Sequence, residues 1–555
     1  MKNSKLDGSF MTVLGVEYRH LHTSSGSDLY LTKYGIPYSG RLVSEKWYTH
    51  RTSAYTWEKL RGTGTVYRVH TPRDSWQCDI VVKHSRVGQD VPGRDPEICS
   101  DNVLSEFNSP FEEFSLLMEM RDARFESPGI IRTHQPLAIF VPVDRIDPEL
   151  LGRKQYLFSQ KAKEAAVELD LHRQYLVIYQ WIKGADAVEA CKRGALAESE
   201  LEPLMQSVQQ ELNNKGFEDH DRKPHHIIVR IDRDGSVVRS REGIPIHAYI
   251  DFEVLRRTPE RENIVRNSRR ADYLRRQRDR FSSKPGRAFP SHLAPVRIFG
   301  VDYVYGRVES TGGALWVVGK DPGLYDYFLP ERWRQTPRTK LSRRHQLFYT
   351  HTKDNIHLVW TVSRVGEKPD VLGFDARGRS ILEHGHNSPF EEFALALELR
   401  RKGFPTIYPR AIYRTGTQTT TSEYIADLRR YESHRHILMP DGHAALQPAY
   451  NYIVVWGYWN GPDELLAVRD GEYYVGINLA HAREQWNIPE KDFEGLIERE
   501  KARLNEAGME DLTLHGHHLM LSLDQNGNLV IDNDGGPEIR LCNFELVRRY
   551  AGPNE

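Results

Sequence analysis

The chain has 555 residues, too many for a single hydrophobic core, and its 39% hydrophobic and 28% charged residues are those of an ordinary globular protein. Its 76 basic side chains balance 77 acidic ones, which excludes a global electrostatic field that would attract nucleic acid or an anionic membrane surface. Four scattered cysteines without CxxC spacing argue against a disulfide framework or a structural zinc site, and no apolar run approaches the length of a membrane span. We therefore expect a soluble, cytoplasmic protein made of several compact parts.

The sequence is internally repeated. The heptad NSPFEEF occurs at 108–114 and again, letter for letter, at 387–393, and further matches flank it at fixed spacing. In copy one and then copy two, these matches are LGVEY and FGVDY, SEKW and PERW, SRVG and SRVG, and FEVLRR and FELVRR. The repeat predicts two tandem copies of one fold, at 1–285 and 291–555, rather than a solenoid array.

In copy one, the predicted elements are strands, one helix, more strands, two helices and a hairpin. Short branched and apolar runs bounded by turn formers predict strands in DIVVKH, PLAIFVPV and YLVIYQW. Residues 188–216 are helical in character, and Asp234-Gly235 marks a hairpin turn. The predicted fold class is α+β, with an N-terminal sheet that carries one helix and a helical second lobe closed by a hairpin.

The heptad itself predicts the start of a helix. Ser109 can cap the helix, the proline after it suits the first helical position, and Glu112 stands where a capping-box carboxylate reaches back to the cap. Glu113 is then left free for another task. A well-capped core helix with an exposed glutamate explains the heptad equally well, so the rest of the chain has to decide.

A composition outlier joins the two copies at 256–290. Between Arg256 and Arg287 the chain has twelve lysines and arginines against four acidic residues. Its helical part, around Ile264 to Phe281, is too polar for a core helix and predicts a solvated connecting helix. The alternative is a patch that contacts a polyanion such as a phosphate, a lipid headgroup or RNA.

Two groups of residues in copy one could carry chemistry. In the first group, the GTGTV loop with Gly62 and Gly64 precedes the strand that carries Lys83, and that strand precedes the helix that carries Glu113. Each of these features taken singly has a structural explanation, because glycines mostly mark turns and lysines mostly lie at the surface.

The second group comes later in the same copy. The segment DHDRKPHH contains Asp221, Lys223 and His226, and the predicted strand AYIDFE carries Asp251 near its end. Phosphoryl transfer needs a cover over the phosphates, a lysine fixed by a carboxylate, a carboxylate near the incoming hydroxyl, and metal-binding groups beside it. The two groups together supply a candidate for every part, in a consistent order.

This order resembles the protein-kinase-like superfamily. GTGTV looks like the glycine loop, DHDRKPHH looks like the catalytic loop, and Asp251-Phe252-Glu253 looks like the metal-binding DFG with Glu for Gly. The phrase EEFSLLMEMRDARFESPGIIRTHQPLAIF is similar to a small bacterial branch that includes the lipopolysaccharide core-sugar kinases. The resemblance runs from about residue 62 to 253. It implies two copies of a bilobal kinase-like fold with a short C-lobe, and ATP with Mg²⁺ or Mn²⁺ as cofactors.

The resemblance also implies catalytic roles. Lys83, held by Glu113, would pin the α and β phosphates of ATP. Asp221 would orient or deprotonate the acceptor hydroxyl, and Lys223 would neutralise charge that builds on the γ phosphate.

Nucleotide and metal contacts follow in the same way. Gly62, Gly64 and Thr65 would cover the phosphates, whereas Tyr179 and Trp181 lie where the adenine edge meets the backbone in this superfamily. Metal binding falls to Asp251, with His226 as a candidate second ligand in the place where the family has asparagine. Magnesium prefers oxygen ligands and imidazole suits manganese or another transition metal, while a buried structural histidine is the alternative.

Other departures concern regulation and the second copy. Asp219-His220 replaces the usual His-Arg pair and the activation segment is short, so control by loop phosphorylation is not expected. Copy two keeps the heptad, SRVG and FELVRR but has Thr361, Thr513, His515 and Asn543 in place of Lys83, Asp221, Lys223 and Asp251. This pattern predicts an active kinase-like copy fused to a pseudokinase-like copy that does not bind nucleotide.

The leading hypothesis is an ATP-dependent phosphotransferase with an unknown hydroxyl acceptor, either a glycan, a small molecule or a protein, and a C-terminal copy that regulates or docks substrate. One alternative is a non-catalytic kinase-like scaffold, and another is an AMP transferase on the same fold. A third is a metal-dependent phosphoesterase built on Asp219, His220, Asp221, His225 and His226.

Overall fold

The computed structural model describes residues 8–49, 54–60, 65–72, 78–91, 106–122, 131–146, 169–282, 289–342, 346–369, 375–418 and 426–550. Gly62 and Gly64 lie outside the described residues, as does the 283–288 part of the basic segment. The chain divides into two compact units. Unit 1 comprises Met1–Ala166 and Asp170–Arg266, and unit 2 comprises Val167–Leu169 and Asn267–Glu555.

The strands are, in chain order, β1 (Ser9–Val13), β2 (Val16–His22), β3 (Asp28–Leu31), β4 (Thr56–Lys59), β5 (Val66–His70), β6 (Ile80–His84), β7 (Pro136–Val141), β8 (Leu176–Gln180), β9 (Ala185–Asp186), β10 (Phe217–Asp219), β11 (Ile227–Val229), β12 (His247–Tyr249), β13 (Leu255–Arg257), β14 (Leu293–Ile298), β15 (Val301–Val308), β16 (Gly313–Val318), β17 (Arg338–Lys340), β18 (Leu347–His351), β19 (His357–Val362), β20 (Tyr408–Gln418), β21 (Tyr450–Gly457), β22 (Val475–Asn478), β23 (Met509–Asp511), β24 (Leu519–Leu523), β25 (Ile539–Leu541) and β26 (Val547–Arg549).

The α-helices are α1 (Ser39–Leu42), α2 (Lys46–Thr49), α3 (Pro110–Asp122), α4 (Ala187–Lys192), α5 (Leu201–Asn214), α6 (Pro259–Arg278), α7 (Pro330–Trp333), α8 (Ala376–His384), α9 (Pro389–Arg401), α10 (Arg429–His434), α11 (Asp463–Arg469), α12 (Leu479–Trp486) and α13 (Glu490–Glu506).

Unit 1 is built on an eight-stranded antiparallel sheet with the strand order β1-β2-β3-β7-β8-β6-β5-β4. The strands predicted from DIVVKH, PLAIFVPV and YLVIYQW are confirmed as β6, β7 and β8. The meander β1 to β3, which extends the sheet at one edge, was not predicted. Every residue of β7 is buried, so the centre of the sheet lies in the core.

The predicted capping of the heptad helix α3 is confirmed. The backbone N–H of Ser109 donates to Glu112 Oε2 over 3.0 Å, and the N–H of Glu112 donates to Ser109 Oγ over 3.3 Å. Phe111 and Phe114 are fully buried. The helix therefore begins at a fixed residue and packs by its aromatic face, which fixes the position of Glu113 between them.

Two small sheets follow in unit 1, one of β10 and β13 and one in the order β12-β11-β9. The loops at their ends carry the candidate residues. Asp221 comes just after β10, His226 just before β11 and Asp251 just after β12. The N–H of Ile250 donates to the carbonyl of His226 over 2.9 Å, which ties the last two loops together.

Unit 2 has the same strand topology. Its eight-stranded sheet has the order β14-β15-β16-β20-β21-β19-β18-β17, which repeats the order of unit 1 strand for strand. The two-stranded sheet β23-β26 and the three-stranded sheet β22-β24-β25 repeat the two small sheets of unit 1. The first hairpin of each unit also turns on the same backbone, because Leu14-Gly15 and Phe299-Gly300 all have positive φ.

The basic segment is not a solvated connector. Within unit 2, one face of α6 is buried, including Tyr273 and Leu274. Its arginines reach unit-2 carboxylates: Arg269 pairs with Asp354, Arg270 with Asp470, and Arg276 with Asp321. Arg280, two residues after the end of α6, pairs with Asp463. The prediction of a solvated helix is wrong because paired guanidinium groups with long aliphatic stems can be buried where composition alone suggests exposure. Contact with a polyanion stays a prediction.

Residues 267–282, which the repeat assigned to copy one, thus pack within unit 2. Among the described residues, no helix combines the length and the apolar character that crossing a membrane requires.

Candidate active site

Lys83 lies at the centre of a buried cluster of carboxylates in unit 1. Its Nζ is 2.6 Å from Asp251 Oδ1, 3.0 Å from Glu253 Oε1 and 3.7 Å from Glu113 Oε1. Burial would lower the pKa of Lys83, but the three carboxylates raise it above the ordinary value, so the ammonium group is charged. Strand β6, helix α3 and the loop after β12 therefore meet at this single amine.

Glu113 is the innermost carboxylate of the cluster, with 1% of its surface exposed. Burial raises its pKa above the ordinary value, and the nearby Glu253 adds to this effect, while Lys83 opposes it. The phenol of Tyr179 donates a hydrogen bond to Glu113 Oε1. Helix α3 thus delivers Glu113 to Lys83, and strand β8 holds Glu113 from the other side.

Sequence reasoning missed the contribution of Glu253 and Arg86. Arg86 Nε donates to Glu253 Oε2 over 2.8 Å, while the other oxygen of Glu253 faces Lys83. Glu253 is 3% exposed. The signal was present in the repeat, because SRVG and the Phe-Glu of FEVLRR recur together in both copies.

Asp251 has an unusual backbone. Its φ is +74°, in the left-handed region that costs a non-glycine residue about 1–3 kcal/mol unless the surroundings enforce it. Burial would raise the pKa of Asp251, but Lys83 and His226 outweigh burial and hold it well below the ordinary value. A strained, ionised carboxylate at the convergence of two loops is typical of a functional site.

His226 faces the second oxygen of Asp251, with Nε2 3.5 Å from Oδ2. Burial lowers the pKa of His226, which keeps the imidazole neutral at pH 7. Its Nδ1 is buried and makes no hydrogen bond within the described part of the chain. The structure therefore brings together Lys83, Glu113, Asp251 and His226 from the predicted set.

Asp221 and Lys223 form a separate ion pair in the loop between β10 and β11, which also carries His226. Lys223 Nζ is 2.8 Å from Asp221 Oδ2, and both side chains are partly exposed, at 46% and 39%. The backbone N–H of Asp221 donates to Asp219 Oδ1 over 2.8 Å, which fixes the loop. Both charges are close enough to act on the pKa of His226, which Asp221 raises and Lys223 lowers.

Of the residues predicted to contact the nucleotide, the structure describes Thr65, Tyr179 and Trp181. The carbonyl of Thr65 accepts from the N–H of His84, and the next residue, Val66, pairs with Lys83 across the sheet. The side chain of Tyr179 is directed to Glu113 rather than to a cleft, and its backbone lies between β6 and β7. The ring of Trp181 lies 4.5 Å from the guanidinium of Arg68.

The asparagine that opens the heptad connects the helix to the Asp251 loop. The N–H of Asn108 donates to the carbonyl of Glu253 over 2.9 Å, and its side-chain amide donates to the carbonyl of Leu255 over 3.1 Å. In unit 2, Asn387 makes the same bonds to Glu545 and Val547, over 2.8 and 2.9 Å. The heptad is therefore a latch for this loop as well as a helix start.

At the equivalent site of unit 2, the side chains have different hydrogen-bond partners. Asn543 turns its carbonyl oxygen back to the N–H of Glu545 over 3.0 Å, and within the described residues Asn543 is not among those with positive φ. His518 Nδ1 is 2.6 Å from Asp511 Oδ2, whereas the equivalent His226 faces Asp251. The histidine in unit 2 is thus a bonded structural group, and His226 is not.

Glu392, the counterpart of Glu113, has no amine to pair with. Thr361 stands in place of the lysine, and among the described residues no cationic group lies within 4.0 Å of Glu392. Burial raises its pKa well above the ordinary value, and Glu545 and Glu391 add to the rise. Glu392 is therefore a buried neutral acid.

Comparison with known proteins gives one kind of match. No protein-family profile matches the sequence, and no curated protein matches it significantly. Among solved structures, the chain is similar to the Cydia pomonella granulovirus kinase PK-1, with 12% identity over 40% of this chain and 57% of that one, and a TM-score of 0.20. It is also similar to the BubR1 kinase domain, with 11% identity over 44% of this chain and 52% of that one, and a TM-score of 0.20. At these scores individual residues do not correspond.

Proposed function

We propose that unit 1 is an ATP-dependent phosphotransferase with a kinase-like fold that acts on a hydroxyl acceptor. The observation that carries the proposal is the pairing of Lys83 with Asp251, Glu253 and Glu113 in one buried cluster. A lysine fixed in this way presents one localised positive charge, which is what the α and β phosphates of a nucleotide require.

The residues around Asp251 fit a divalent cation. Three carboxylates, Glu113, Asp251 and Glu253, face the two cations Lys83 and Arg86, so negative charge is in surplus when all three are ionised. His226 adds a neutral imidazole beside Asp251, with Nε2 directed at Oδ2 and with the other ring nitrogen, Nδ1, making no hydrogen bond within the described residues. Asp251 and His226 would hold Mg²⁺ or Mn²⁺, and the imidazole favours manganese. A bound cation would neutralise charge on the phosphate oxygens.

The remaining roles follow from position. Asp221 lies at the mouth of the loop, partly exposed and hydrogen-bonded to Lys223, where an acceptor hydroxyl from solvent could reach it. We assign Asp221 to orienting or deprotonating that hydroxyl, and Lys223 to neutralising charge on the transferred group. Gly62, Gly64 and Thr65 would cover the phosphates. The adenine would meet backbone groups beyond Tyr179, near Trp181, because the phenol of Tyr179 is committed to Glu113.

Unit 2 is proposed to be a pseudokinase-like copy that regulates unit 1 or docks its acceptor. It has the same strand order but Thr361 and Asn543 in place of the lysine and the metal-binding aspartate. The groups of its site bond to one another, as His518 does to Asp511. A site that has a threonine in place of the lysine, and a histidine already bonded to an aspartate, offers little to a nucleotide phosphate.

The test uses the purified full-length chain with Mg²⁺ or Mn²⁺ and ATP labelled at either the α or the γ phosphate. We expect release of γ label to water or to the chain itself, and none of the α label. Asp221→Ala should lose at least about 10²-fold in transfer, the scale of general-base catalysis, while binding of ATP persists.

Other outcomes separate the alternatives. Transfer of α label would indicate an AMP transferase. A folded Asp221→Ala protein that transfers phosphate at the wild-type rate would refute the role of Asp221. Absence of both nucleotide binding and transfer would leave the non-catalytic scaffold as the better description.

A further inference from the structure

A second group of metal-ligand side chains lies at the other edge of the unit-1 sheet. His20 and His22 are two residues apart on β2, so their side chains point to the same face of the strand. The register pairs His22 with Asp28 of β3 directly across the ladder. Asp28 Oδ1 is 3.0 Å from His20 Nε2 and 3.0 Å from His22 Nδ1.

Two of the three side chains are buried and the third is exposed to solvent. The side chains of His20 and Asp28 are about nine-tenths buried, whereas that of His22 is 64% exposed. The ring of His20 stacks on Tyr30, with centroids 4.5 Å apart and an angle of 5° between the planes. Two ligands are therefore held by packing, and the third closes the group from the solvent side.

The carboxylate is oriented by a further residue. Arg173 Nη2 lies 3.7 Å from Asp28 Oδ2, on the oxygen that does not face the histidines. With Oδ2 on the side of Arg173, Oδ1 is directed at both imidazole rings. Groups of this kind behind a ligand commonly set its direction at metal sites.

The spacing suits a divalent transition metal. Ligand atoms about 2.0–2.1 Å from a tetrahedral zinc ion lie about 3.3 Å from one another, so the observed 3.0 Å needs to open by a few tenths of an ångström. Each ring nitrogen must then present a lone pair, and its proton moves to the other nitrogen of the same ring. Two imidazoles and one carboxylate match the preferences of zinc and cobalt better than those of calcium or magnesium.

Unit 2 shows that the fold does not require this group. Counting from the matching hairpin turns at Leu14-Gly15 and Phe299-Gly300, Tyr305 and Arg307 occupy the places of His20 and His22. Arg307 pairs across the ladder with Ala314, which stands in the place of Asp28. The same sheet is thus built in unit 2 without a metal-ligand set.

We propose that His20, His22 and Asp28 form a binding site for one divalent transition-metal ion of the zinc or cobalt type, with water completing the shell beside His22. The proposal is independent of the phosphotransferase function. It predicts that a bound ion fastens β2 to β3 at the edge of the sheet.

The test is a titration of Co²⁺ into the metal-free full-length chain, followed by its displacement with Zn²⁺. Visible absorption reports the coordination of Co²⁺, and calorimetry gives the stoichiometry and affinity. We expect one Co²⁺ site in addition to the cation site proposed at Asp251 and His226, and its affinity should fall at least tenfold in His22→Ala. Because His22 is mostly exposed, this variant should fold as the wild type does, as its circular dichroism and metal-free melting temperature would show.

His443→Ala is the matched control. His443 is 68% exposed and lies 3.5 Å from Asp441, so it is also a surface histidine beside a carboxylate, but without a second histidine in the group. Its affinity should equal that of the wild type. Absence of this additional Co²⁺ site, equal affinity in His22→Ala, or equal loss in His443→Ala would each overturn the proposal. In the first case Asp28 would act only as a hydrogen-bond acceptor shared by two histidines.

Discussion

Lys83 and Arg86 are the two cations of the candidate site, and Glu253 joins them. Glu253 stands where the resembled family has glycine, and its two oxygens divide between Lys83 and Arg86. A glycine would leave Arg86 without this partner and Lys83 with one contact fewer. Glu253 is thus a buried, charged support for the strand that carries Lys83.

Glu253→Gln should therefore destabilise unit 1 by about 3–5 kcal/mol, because it leaves the mostly buried Arg86 without its ionic partner. Hydrogen-exchange mass spectrometry of the full chain reads the stability of each unit in one sample. Glu545→Gln is the control in unit 2. Its partner Arg364 keeps Glu367 at 2.8 Å, so little change is expected. Equal protection of unit 1 in Glu253→Gln and wild type would contradict the supporting role.

Helices α3 and α9 begin with the same seven letters but serve different sites. Both are capped by the same serine and glutamate, and both are latched by the opening asparagine. Glu113 meets an amine at the end of this shared scaffold, whereas Glu392 meets none. Comparing variants of Glu113 and Glu392 within one chain therefore shows what Lys83 contributes.

Glu392→Gln should stabilise unit 2 at pH 8. In the folded state the raised pKa keeps Glu392 protonated, while in the unfolded chain it ionises near pH 4.5, so stability is fully present below that pH and is lost as pH rises towards the folded pKa. The amide of Glu392→Gln does not ionise, so the variant avoids this loss of stability as the pH rises. We expect a gain of about 1–3 kcal/mol at pH 8 that disappears at pH 4.5, measured by hydrogen exchange. A variant less stable than the wild type at pH 8 would contradict the assignment.

Glu113→Gln should gain less stability, because Lys83 already offsets part of the cost of its buried charge. The loss should appear in function instead. With one support of Lys83 weakened, phosphoryl transfer should fall by about 10²-fold, the scale of a misplaced catalytic group. The measurement is release of γ-labelled phosphate, with Glu392→Gln as the matched variant that retains wild-type transfer. Full activity in Glu113→Gln would show that Glu113 does not position the lysine.

Local patterns predicted these elements well, and non-local contacts explain what was missed. The capping box and strands β6 to β8 depend on neighbouring residues, so the sequence sufficed. The sequence predicted that backbone groups near Tyr179 meet the adenine, but it did not predict the direction of the Tyr179 side chain, which is set by Glu113, 66 residues earlier. The buried face of α6 was missed because the carboxylates that neutralise its arginines come 45 to 200 residues later.

At the scale of the molecule, one topology occurs twice, and the arginines of α6 from Arg269 onward lie in the second occurrence. Arg280 and Arg410 share the carboxylate of Asp463, at 2.9 and 2.6 Å, and all three side chains are nearly inaccessible to solvent. Burial would raise the pKa of Asp463, but the two arginines lower it to about 2, so it remains charged. The stability of unit 2 therefore depends on the pairing of Asp463 with Arg280, which lies just after the end of α6.

Asp463→Asn should destabilise unit 2 by about 3–5 kcal/mol, since it leaves two buried guanidinium groups without their counter-charge. Arg275→Gln, on α6 and five residues before Arg280, is the control. Its side chain is 67% exposed, and its loss should change stability by less than about 0.5 kcal/mol. Hydrogen exchange in β14 to β16 and β20 is the measurement. Similar effects of the two variants would contradict a stabilising role for the buried group of Arg280, Arg410 and Asp463.

The central claim is that the fold occurs twice and the nucleotide site once. Calorimetric titration of the full-length chain with a non-hydrolysable ATP analogue and Mn²⁺ tests this claim most directly. We predict one nucleotide per chain, binding that is lost in Lys83→Met, and wild-type binding in Thr361→Val, the variant at the equivalent position of unit 2. Two nucleotides per chain, no binding, or binding to Lys83→Met with wild-type affinity would contradict the account.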